Sequence, residues 1–541
     1  MPMTPARLPL PLAALALGLS GLACGDSADY GDPWEEVGYD VDDGWSLGGQ
    51  DDEGQGGTGE GGELGELTGL VHHDFGPVTL APFQEISNCV QWTVDNDAAV
   101  YVQAVTLNNH GYFHHSNWFA VPEHHYAGPD GFFDCEERSF EETSASVLGP
   151  VLFAQSTQSF SETQRTQDGA VIKIPRRHKV IATTHLLNVG PAEVETELAM
   201  SLELVHPSLV ETQLSPMRLT YLDLDIPAQQ RSRFTGACEH FGQQHSQVSP
   251  QPIVLHHALA HFHGLGESFE LSAVGGELGT PNPLWPIFET LFELEGFTGD
   301  SLGKRFDPPV SLEGIEQLRF GCGFDNWRDV NVGWGIGDQE MCVMLALVEA
   351  DYIPDVSVVG GTEAVGQDAD GVIEFEGPCA FLALPKSPDQ GPPSVDELLT
   401  PLYLPPSDEG IDPAPDCVDH DPLAEPSLEP SLSNVAAVVF QQSCAFNACH
   451  GASAQAAGLN LQAPDLHAEL LDHEVLGNPG ASLIEPGDPE ASWLYELVSS
   501  CSPGEAMGLS ASSMPLNAPV LLDDASIALV REWIAAGAPD D

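Results

Sequence analysis

Apolar and polar residues alternate with a period of two in many short runs between residues 67 and 385. Clear examples are residues 99–106, 179–184 and 195–204, and such runs are separated by Gly, Pro, Asn and Asp. This alternation is typical of antiparallel strands with one buried face. Because about 320 residues exceed what one sandwich core usually holds, the pattern predicts a mainly β body of two tandem antiparallel β-sandwiches, at 67–220 and 221–385.

The pattern changes on both sides of this body. Residues 25–66 hold 14 acidic residues, many Gly and no Lys or Arg, which predicts a disordered tether. Residues 386–430 are rich in Pro and acidic side chains and are predicted to be a linker. Residues 431–541 show helical periodicity, for example at 466–471 and 526–534. We therefore expect a small all-α domain at the end of the chain.

The first 24 residues are predicted to be a targeting signal. Arg7 precedes an apolar run at residues 8–19, and Ala23 is followed directly by Cys24. The run is too short to span a membrane and is typical of a secretory signal. A Cys at this position resembles a bacterial lipoprotein cleavage site, with an ordinary signal peptide as the alternative. We expect an exported cell-envelope lipoprotein, periplasmic or at the outer surface, whose membrane contact is limited to a lipid on Cys24.

The charge balance limits the classes of partner. The chain has 82 acidic and 16 basic residues, and its formal net charge is −66. Nucleic acids and anionic membrane surfaces are bound by clusters of Lys and Arg, so neither is an expected partner. The acidity fits a strongly hydrated surface in salty water, or a surface that attracts cations or basic proteins.

A haem-type motif lies near the C-terminus, where Cys444 and Cys449 are followed by His450. Two thiols on one turn can form thioethers to a porphyrin, with the adjoining imidazole below the iron. In addition, Met514 is followed by Pro515 and then by the last helical pattern.

These features, in this order, resemble small bacterial cytochromes c, although four residues separate the cysteines here instead of two. The resemblance implies haem c held by Cys444 and Cys449, with His450 and Met514 as axial ligands. Met507 is a rival sixth ligand. The alternative is a disulfide between Cys444 and Cys449 without haem.

Four segments of the β-rich body carry residues of the types that bind metals. In His261-Phe-His263 the two imidazoles lie on the same side of a strand, because alternate residues share a face. A third, soft ligand such as Met341 would favour Cu(I). His114 and His115 are adjacent, so they can share a metal only at a strand end, a bulge or a twist.

The order His-His, Thr-His, His-x-His-x-x-Gly and Glu-Met-Cys resembles the copper type II ascorbate-dependent monooxygenases, which include the peptidylglycine hydroxylating and dopamine β-monooxygenases. The resemblance covers roughly residues 67–385 and implies two jelly-roll-like sandwiches that hold two copper ions. It implies an electron-transferring copper bound by His114, His115 and His185. A second copper, which binds O₂ and hydroxylates a C–H bond, is implied at the catalytic residues His261, His263 and Met341. Rival histidines are His72, His73, His110, His124, His125, His256 and His257.

The same resemblance implies disulfides that join Cys89 to Cys135, Cys322 to Cys342, and Cys238 to Cys379. If Cys24 carries a lipid and two cysteines hold haem, eight of the 11 cysteines remain, which is an even number. Cys417 and Cys501 are then left and can pair with each other.

The sequence departs from the peptide-amidating members at positions that contact substrate. Their Arg two residues before the first His of His-x-His is replaced by Leu259, and the Asn and Tyr that follow their Met are replaced by Val343 and Leu345. We therefore expect a small-molecule or hydrophobic substrate. The electron source is expected to be ascorbate or another external one-electron donor, or a relay from the fused haem domain. The alternatives are a non-catalytic redox or copper-binding surface lipoprotein with haem as its one redox centre, and a structural or adhesive surface protein.

Overall fold

The structure is a computed structural model that describes residues 66–155, 160–274, 282–286, 304–335, 339–412, 416–446, 449–452, 455–475, 480–505, 511–516, 518 and 520–541. The predicted signal peptide, Cys24, residues 25–65 of the tether and Met507 lie outside the described residues. Among the helices of the described part, none is long and apolar enough to cross a bilayer.

Short strands make up most of the described chain, as the period-two pattern predicts. In chain order they are β1 (Thr68–Leu80), β2 (Glu85–Thr93), β3 (Val100–Asn109), β4 (Phe113–Pro122), β5 (Gly131–Phe133), β6 (Val151–Gln155), β7 (Ser161–Arg165), β8 (Ala170–Ile174), β9 (His178–Leu187), β10 (Val194–Val205), β11 (Thr212–Gln213), β12 (Ser215–Tyr221), β13 (Asp225–Ile226), β14 (Gln230–Cys238), β15 (Val254–His261), β16 (Gly266–Val274), β17 (Asn282–Pro286), β18 (Lys304–Ser311), β19 (Gln317–Asn326), β20 (Val332–Gly333), β21 (Val343–Glu349), β22 (Ile353–Val358), β23 (Glu363–Gln367), β24 (Ile373–Pro378) and β25 (Ala380–Leu384).

The first unit consists of two sheets that share a core. Within the described residues, one sheet has the order β1-β10-β3-β8-β11, with β7 paired to β3, and the other has the order β5-β2-β9-β4-β6. Inward-facing residues of both sheets, such as Val71, Leu202, Trp118 and Val180, are fully buried in one hydrophobic cluster. Alternation along each strand produces this face-to-face packing.

The second unit repeats this arrangement. Its two larger sheets have the orders β18-β15-β21-β12-β22-β25 and β17-β16-β19-β14-β24-β23, and β13 pairs with β20 in a small ribbon. The core between the larger sheets contains Leu219, Phe234, Phe320 and Met344, all buried. The chain is therefore mainly β with several sheets, as expected.

Two details differ from the expectation. The sheets are not purely antiparallel, because β11 pairs with β8, β12 with β22 and β14 with β24 in parallel. Parallel neighbours arise because these strands are joined by long connections instead of tight hairpins. In addition, Ser215–Tyr221 pairs with β21 and β22, so the second unit begins a few residues before residue 221.

Four disulfides stabilise the described chain, and they are the four predicted pairs. Their Cα–Cα distances are 5.0 Å for Cys89–Cys135, 4.7 Å for Cys238–Cys379, and 5.9 Å for both Cys322–Cys342 and Cys417–Cys501. Disulfides persist in oxidising compartments, which agrees with an exported protein.

Residues 386–412 leave the second unit and run along the first one, and we call this segment the strap. Beyond it, the described C-terminal segment forms helices around a separate hydrophobic cluster. The helices of the whole described chain are Glu142–Leu148, Phe241–Val248, Val395–Leu399, Leu432–Val435, Leu466–Asp472, Trp493–Ser499 and Asp524–Ala535, with a π-helix at Ala436–Cys444 and 3-10 turns at Cys135–Arg138, Pro207–Leu209, Pro388–Gln390, Ala456–Gly458 and Pro489–Ala491.

Candidate metal and haem sites

Strands β15 and β21 bring the segments of the second predicted copper site together. They are adjacent and antiparallel, and His261 lies directly opposite Val343. The ladder ends at this pair, and His263 and Met341 each lie two residues beyond it. The two segments are about 80 residues apart along the chain, so sheet pairing is what makes them neighbours.

The carboxylate of Glu340 ties these segments together. One of its oxygens accepts hydrogen bonds from the backbone N–H of His263 (2.8 Å) and of Met341 (3.2 Å). The other oxygen accepts from the N–H of Leu265 at 2.7 Å. The Glu340 side chain is fully buried. Burial raises the pKa of Glu340 to about 7, although the three N–H donors act in the opposite direction.

The orientation of the two imidazoles is defined by local contacts. His263 is buried, and its Nδ1 lies 2.7 Å from the carbonyl oxygen of Gln339. If Nδ1 donates this hydrogen bond, the lone pair of the neutral ring is on Nε2, which is the usual arrangement in a metal-binding His. The ring of His261 is 5.2 Å from that of His263, nearly perpendicular to it.

The face of β15 that carries His261 is turned toward the first unit. Alternate residues share this face, so His257, Leu259 and His261 lie on one side. Leu347, which is paired with His257, packs against the core of the first unit. Both residues also line a small cavity between the two units, together with Val102 and other residues of the first unit. The second predicted site therefore lies on the side where the two units meet.

Apolar residues surround His261 on that face. Leu259 is opposite Leu345, and Val343 is opposite His261 itself. Leu259 and Val343 are buried, and Leu345 is half-buried. These are the three positions at which the sequence departs from the amidating enzymes.

The first predicted site combines β4 and β9. His185 on β9 lies directly opposite His115 on the neighbouring strand β4. The register shifts between Phe113 and His115, so β4 has one extra residue, His114, at this point. Such a shift is a β-bulge, which changes the direction of side chains locally. A bulge is one of the irregularities at which two adjacent histidines can share a metal.

The His185 side chain is buried, and its Nε2 lies 3.2 Å from a carboxylate oxygen of Glu85 on β2. A carboxylate beside an imidazole is a common outer-shell partner of metal-binding His residues. The side chains of His114 and His115 lie outside the described part of the structure. The three predicted ligands are thus related here through backbone register alone.

Three rival histidines are bound to the strap. His110 Nε2 lies 2.7 Å from the carbonyl oxygen of Asp412. His73 forms an ion pair with Asp408 at 3.0 Å and stacks on Trp92. The backbone of His72 pairs with residues of the strap, while its Nδ1 lies 2.7 Å from the Ser201 hydroxyl. These contacts give the three rings structural roles.

Within the described residues, no three His, Cys, Asp or Glu side chains form a metal-binding group. The set His261, His263 and Met341 contains only two such side chains and a thioether. The other set depends on His114 and His115, whose side chains are not described.

The haem-type motif begins where the π-helix Ala436–Cys444 ends. Cys444 and Cys449 carry thiols, and no disulfide joins them in the structure. The N–H of His450 donates to the carbonyl of Cys444 at 3.1 Å. Gly451 is required here, since a Cβ would lie 2.7 Å from the carbonyl oxygen of Phe446. Burial raises the pKa of the Cys444 thiol to about 12.

One ring nitrogen of His450 contacts a backbone carbonyl. Its Nδ1 lies 3.1 Å from the carbonyl oxygen of Ala456, so a proton on Nδ1 would leave the lone pair on Nε2. Burial is the main cause that lowers the pKa of His450 to about 4, which favours the neutral, ligating form.

Met514 packs against the same hydrophobic cluster as Cys444. The N–H of Met514 donates to the carbonyl of Leu497 at 2.7 Å, which fixes the Met-Pro loop to the helix Trp493–Ser499. The structure thus brings Cys444 and Met514, two of the four predicted haem-binding residues, to one small core.

Comparisons with known proteins leave the family of this chain open. No protein-family model matches the chain, and no curated protein matches it. Among solved structures, a putative secreted protein from Parabacteroides distasonis ATCC 8503 has 11% identity and a TM-score of 0.15, covering 52% of this chain and 89% of its own. The PBSX exported protein XepA has 8% identity and a TM-score of 0.15, and the match covers 51% of this chain and 86% of XepA. The CUB1-EGF-CUB2 domains of rat MASP-1 have 10% identity and a TM-score of 0.11, and the match covers 51% of this chain and 97% of the MASP-1 chain. Likeness at this level supports no statement about function.

Proposed function

We propose that this protein is a copper-dependent monooxygenase that hydroxylates a C–H bond with O₂, and that its C-terminal domain binds haem c. The observation that carries the proposal is the pairing of β15 with β21, together with the Glu340 carboxylate that accepts hydrogen bonds from the backbone N–H groups of both His263 and Met341. Copper bound by such ligands supplies one-electron redox chemistry and O₂ binding.

The residues around this proposed centre have separate tasks. His261, His263 and Met341 would bind the metal. Glu340 holds the backbone of two of these ligands in one geometry. Such a buried outer-shell partner would keep the ligands oriented for a bound copper ion.

The other proposed copper would be bound by His114, His115 and His185, with Glu85 as outer-shell partner of His185. The bulge in β4 supports this assignment. The C-terminal domain would bind haem through Cys444, Cys449, His450 and Met514. Electrons would come from ascorbate or another one-electron donor, or from this domain.

We infer that the substrate is apolar at the carbon that is hydroxylated. Leu259, Val343 and Leu345 surround His261 on the face that is turned toward the first unit. A carboxylate substrate would need a cation there, because burial of an unpaired charge is costly. An apolar surface also keeps water away from the metal ligands.

Metal analysis and an absorbance spectrum of the purified, exported protein test the proposal. We expect two copper ions per chain, one of them lost in His185→Ala and the other in His263→Ala, together with a Soret band that is absent in Cys449→Ala. A chain that binds haem but no copper would contradict the oxygenase and favour a redox lipoprotein with haem alone. A chain with neither would favour a structural surface protein.

A further inference from the structure

The strap is fixed to the first unit along its whole length, beginning at the sheet edge formed by β8 and β11. The Lys173 ammonium on β8 donates to the carbonyl of Gly391 at 2.8 Å. Further on, the Tyr101 hydroxyl donates to the Glu397 carboxylate at 3.2 Å, and His206 Nε2 lies 2.8 Å from the carbonyl oxygen of Thr400. These contacts reach the strap from three different parts of the first unit.

The middle of the strap is anchored by Tyr403. Its ring packs against the core of the first unit. Its hydroxyl donates to the carbonyl of Asp95 at 3.0 Å and accepts from the N–H of Asp97 at 3.2 Å. A half-buried aromatic ring whose hydroxyl both donates and accepts a hydrogen bond makes a firm attachment.

The last part of the strap covers an exposed sheet edge. Strand β1 is at the end of its sheet, so alternate N–H groups point away from β10. The N–H of His72 donates to the Ser407 hydroxyl (2.9 Å), and the N–H of Asp74 donates to the Asp408 carboxylate (3.0 Å). In return, the N–H of Asp408 donates to the carbonyl of His72 at 2.9 Å. Covering an edge in this way prevents pairing with other chains.

The strap ends beside the first predicted copper site. The carbonyl oxygen of Asp412 lies 2.7 Å from His110, four residues before His114. The chain belongs to the C-terminal domain from Cys417 onward, because Cys417 is disulfide-bonded to Cys501. In addition, His420 contacts Asp524 at 2.7 Å.

Only residues 413–416 separate these two anchored points. Five residue steps span at most about 18 Å, so Cys417 must lie within that distance of Asp412. We propose that the strap is a positioning device that holds the C-terminal domain beside the His110–His115 segment of the first unit, and not beside the second unit. The inference rests on the proposed function only where it identifies that segment as a copper site.

This placement gives the two proposed redox parts of the chain a high effective concentration. A flexible linker as long as residues 386–416 would let the C-terminal domain sample both units. The docked strap leaves only four residues between the two anchored points, which removes most of that freedom. The His114, His115 and His185 site is then the electron acceptor nearest to the haem domain.

The test uses the full chain and a dihydrazide cross-linker that joins carboxylates, which are abundant on this protein. In the wild type we expect cross-links from the C-terminal domain to Glu195 and Glu197, beside His110, and not to Glu363 and Glu374 on the second unit. Inserting 20 Gly/Ser residues between Asp412 and Cys417 leaves all strap contacts intact. It should lower the yield of these cross-links roughly ten-fold. Equal yields with and without the insert would overturn the proposal.

A second measurement follows strap docking itself by hydrogen exchange. Asp408→Ala removes the acceptor of the Asp74 N–H, so we expect faster exchange of residues 70–75 and fewer cross-links to Glu197. Glu409→Ala, which removes the same charge one residue later, is the matched control. Unchanged exchange and cross-linking in Asp408→Ala would contradict the proposal. Neither readout needs copper or haem, so failure of the proposed oxygenase is detected separately by metal analysis.

Discussion

At the scale of single residues, Glu340 is the residue whose importance is least visible in the sequence. It is part of the Glu-Met-Cys motif, but the motif alone does not say what the carboxylate contacts. The structure shows that it accepts hydrogen bonds from the N–H groups of His263, Leu265 and Met341. We therefore regard it as a positioning residue that acts through two of the proposed ligands.

Glu340→Gln should weaken Cu(I) binding at the second site by roughly 10–100-fold, the usual effect of losing an outer-shell partner. The amide keeps one acceptor oxygen but places an NH₂ group against backbone N–H donors. The segment that faces the NH₂ group therefore loses its hydrogen bond to residue 340. Competition with a chromophoric Cu(I) chelator measures the effect.

Glu363→Gln is the matched control, because Glu363 is exposed on the edge strand β23. A lower melting temperature of copper-free Glu340→Gln with unchanged Cu(I) affinity would show that Glu340 only stabilises the fold.

At the scale of elements, the strands and helices that the periodic pattern predicts are confirmed. Of the run 99–106 all but the first residue lie in β3, the runs 179–184 and 195–204 lie in β9 and β10, and the run 526–534 lies in the last helix. These elements were predictable because burial of one face imposes its period on the sequence. The bulge at His114 was not predictable, since an extra residue in one strand is defined only by the register of its neighbour.

The packing of these elements also explains why the motif His-x-His-x-x-Gly ends in a glycine. A Cβ on Gly266 would lie 1.9 Å from a ring carbon of Phe262, the buried residue between the two histidines. The strand that follows the motif can approach so closely only because position 266 has no side chain.

Gly266→Ala should destabilise the second unit by about 1–3 kcal/mol, the typical cost of overpacking a core. The displaced Phe262 ring should also reduce copper retention at His261 and His263. Thermal unfolding and copper content measure the two effects. Gly366→Ala is the matched control, because its nearest neighbour would be a Glu374 carboxylate oxygen at 3.7 Å. Equal melting temperatures for the two variants would contradict this explanation.

At the scale of the whole molecule, the sequence predicted the parts better than their assembly. The four disulfide pairs are confirmed. Three of them were implied by the resemblance to the copper monooxygenases, and Cys417–Cys501 is the pair that was left over. The path of the strap was not predictable. It is held by single contacts from Lys173, Tyr101, His206 and His110, and such contacts leave no periodic pattern in a segment rich in Pro and acidic residues.

The junction of the two units contains a titratable group whose protonation should make the stability of the protein depend on pH. His257 lies between the units, and burial together with the nearby Arg305 lowers its pKa to about 4. The other charged group that lines this cavity is Arg165, so no carboxylate in the lining compensates a proton on His257. The unfolded chain, in which His titrates near pH 6.5, binds that proton more tightly than the folded protein.

The His257 contribution to stability is therefore fully present above pH 6.5 and is lost as the pH falls from 6.5 toward 4. At pH 5 the loss should reach roughly 1–2 kcal/mol.

His257→Gln keeps a polar side chain that does not titrate, so the difference in melting temperature between pH 7.5 and pH 5 should be smaller in this variant than in the wild type. Copper-free protein is used, so that metal release at low pH does not contribute. His124→Gln, at an exposed position of the first unit, is the control and should retain the full wild-type difference. If His257→Gln and His124→Gln lose the same stability on acidification, the junction does not sense pH through His257, and other groups must account for the acid response.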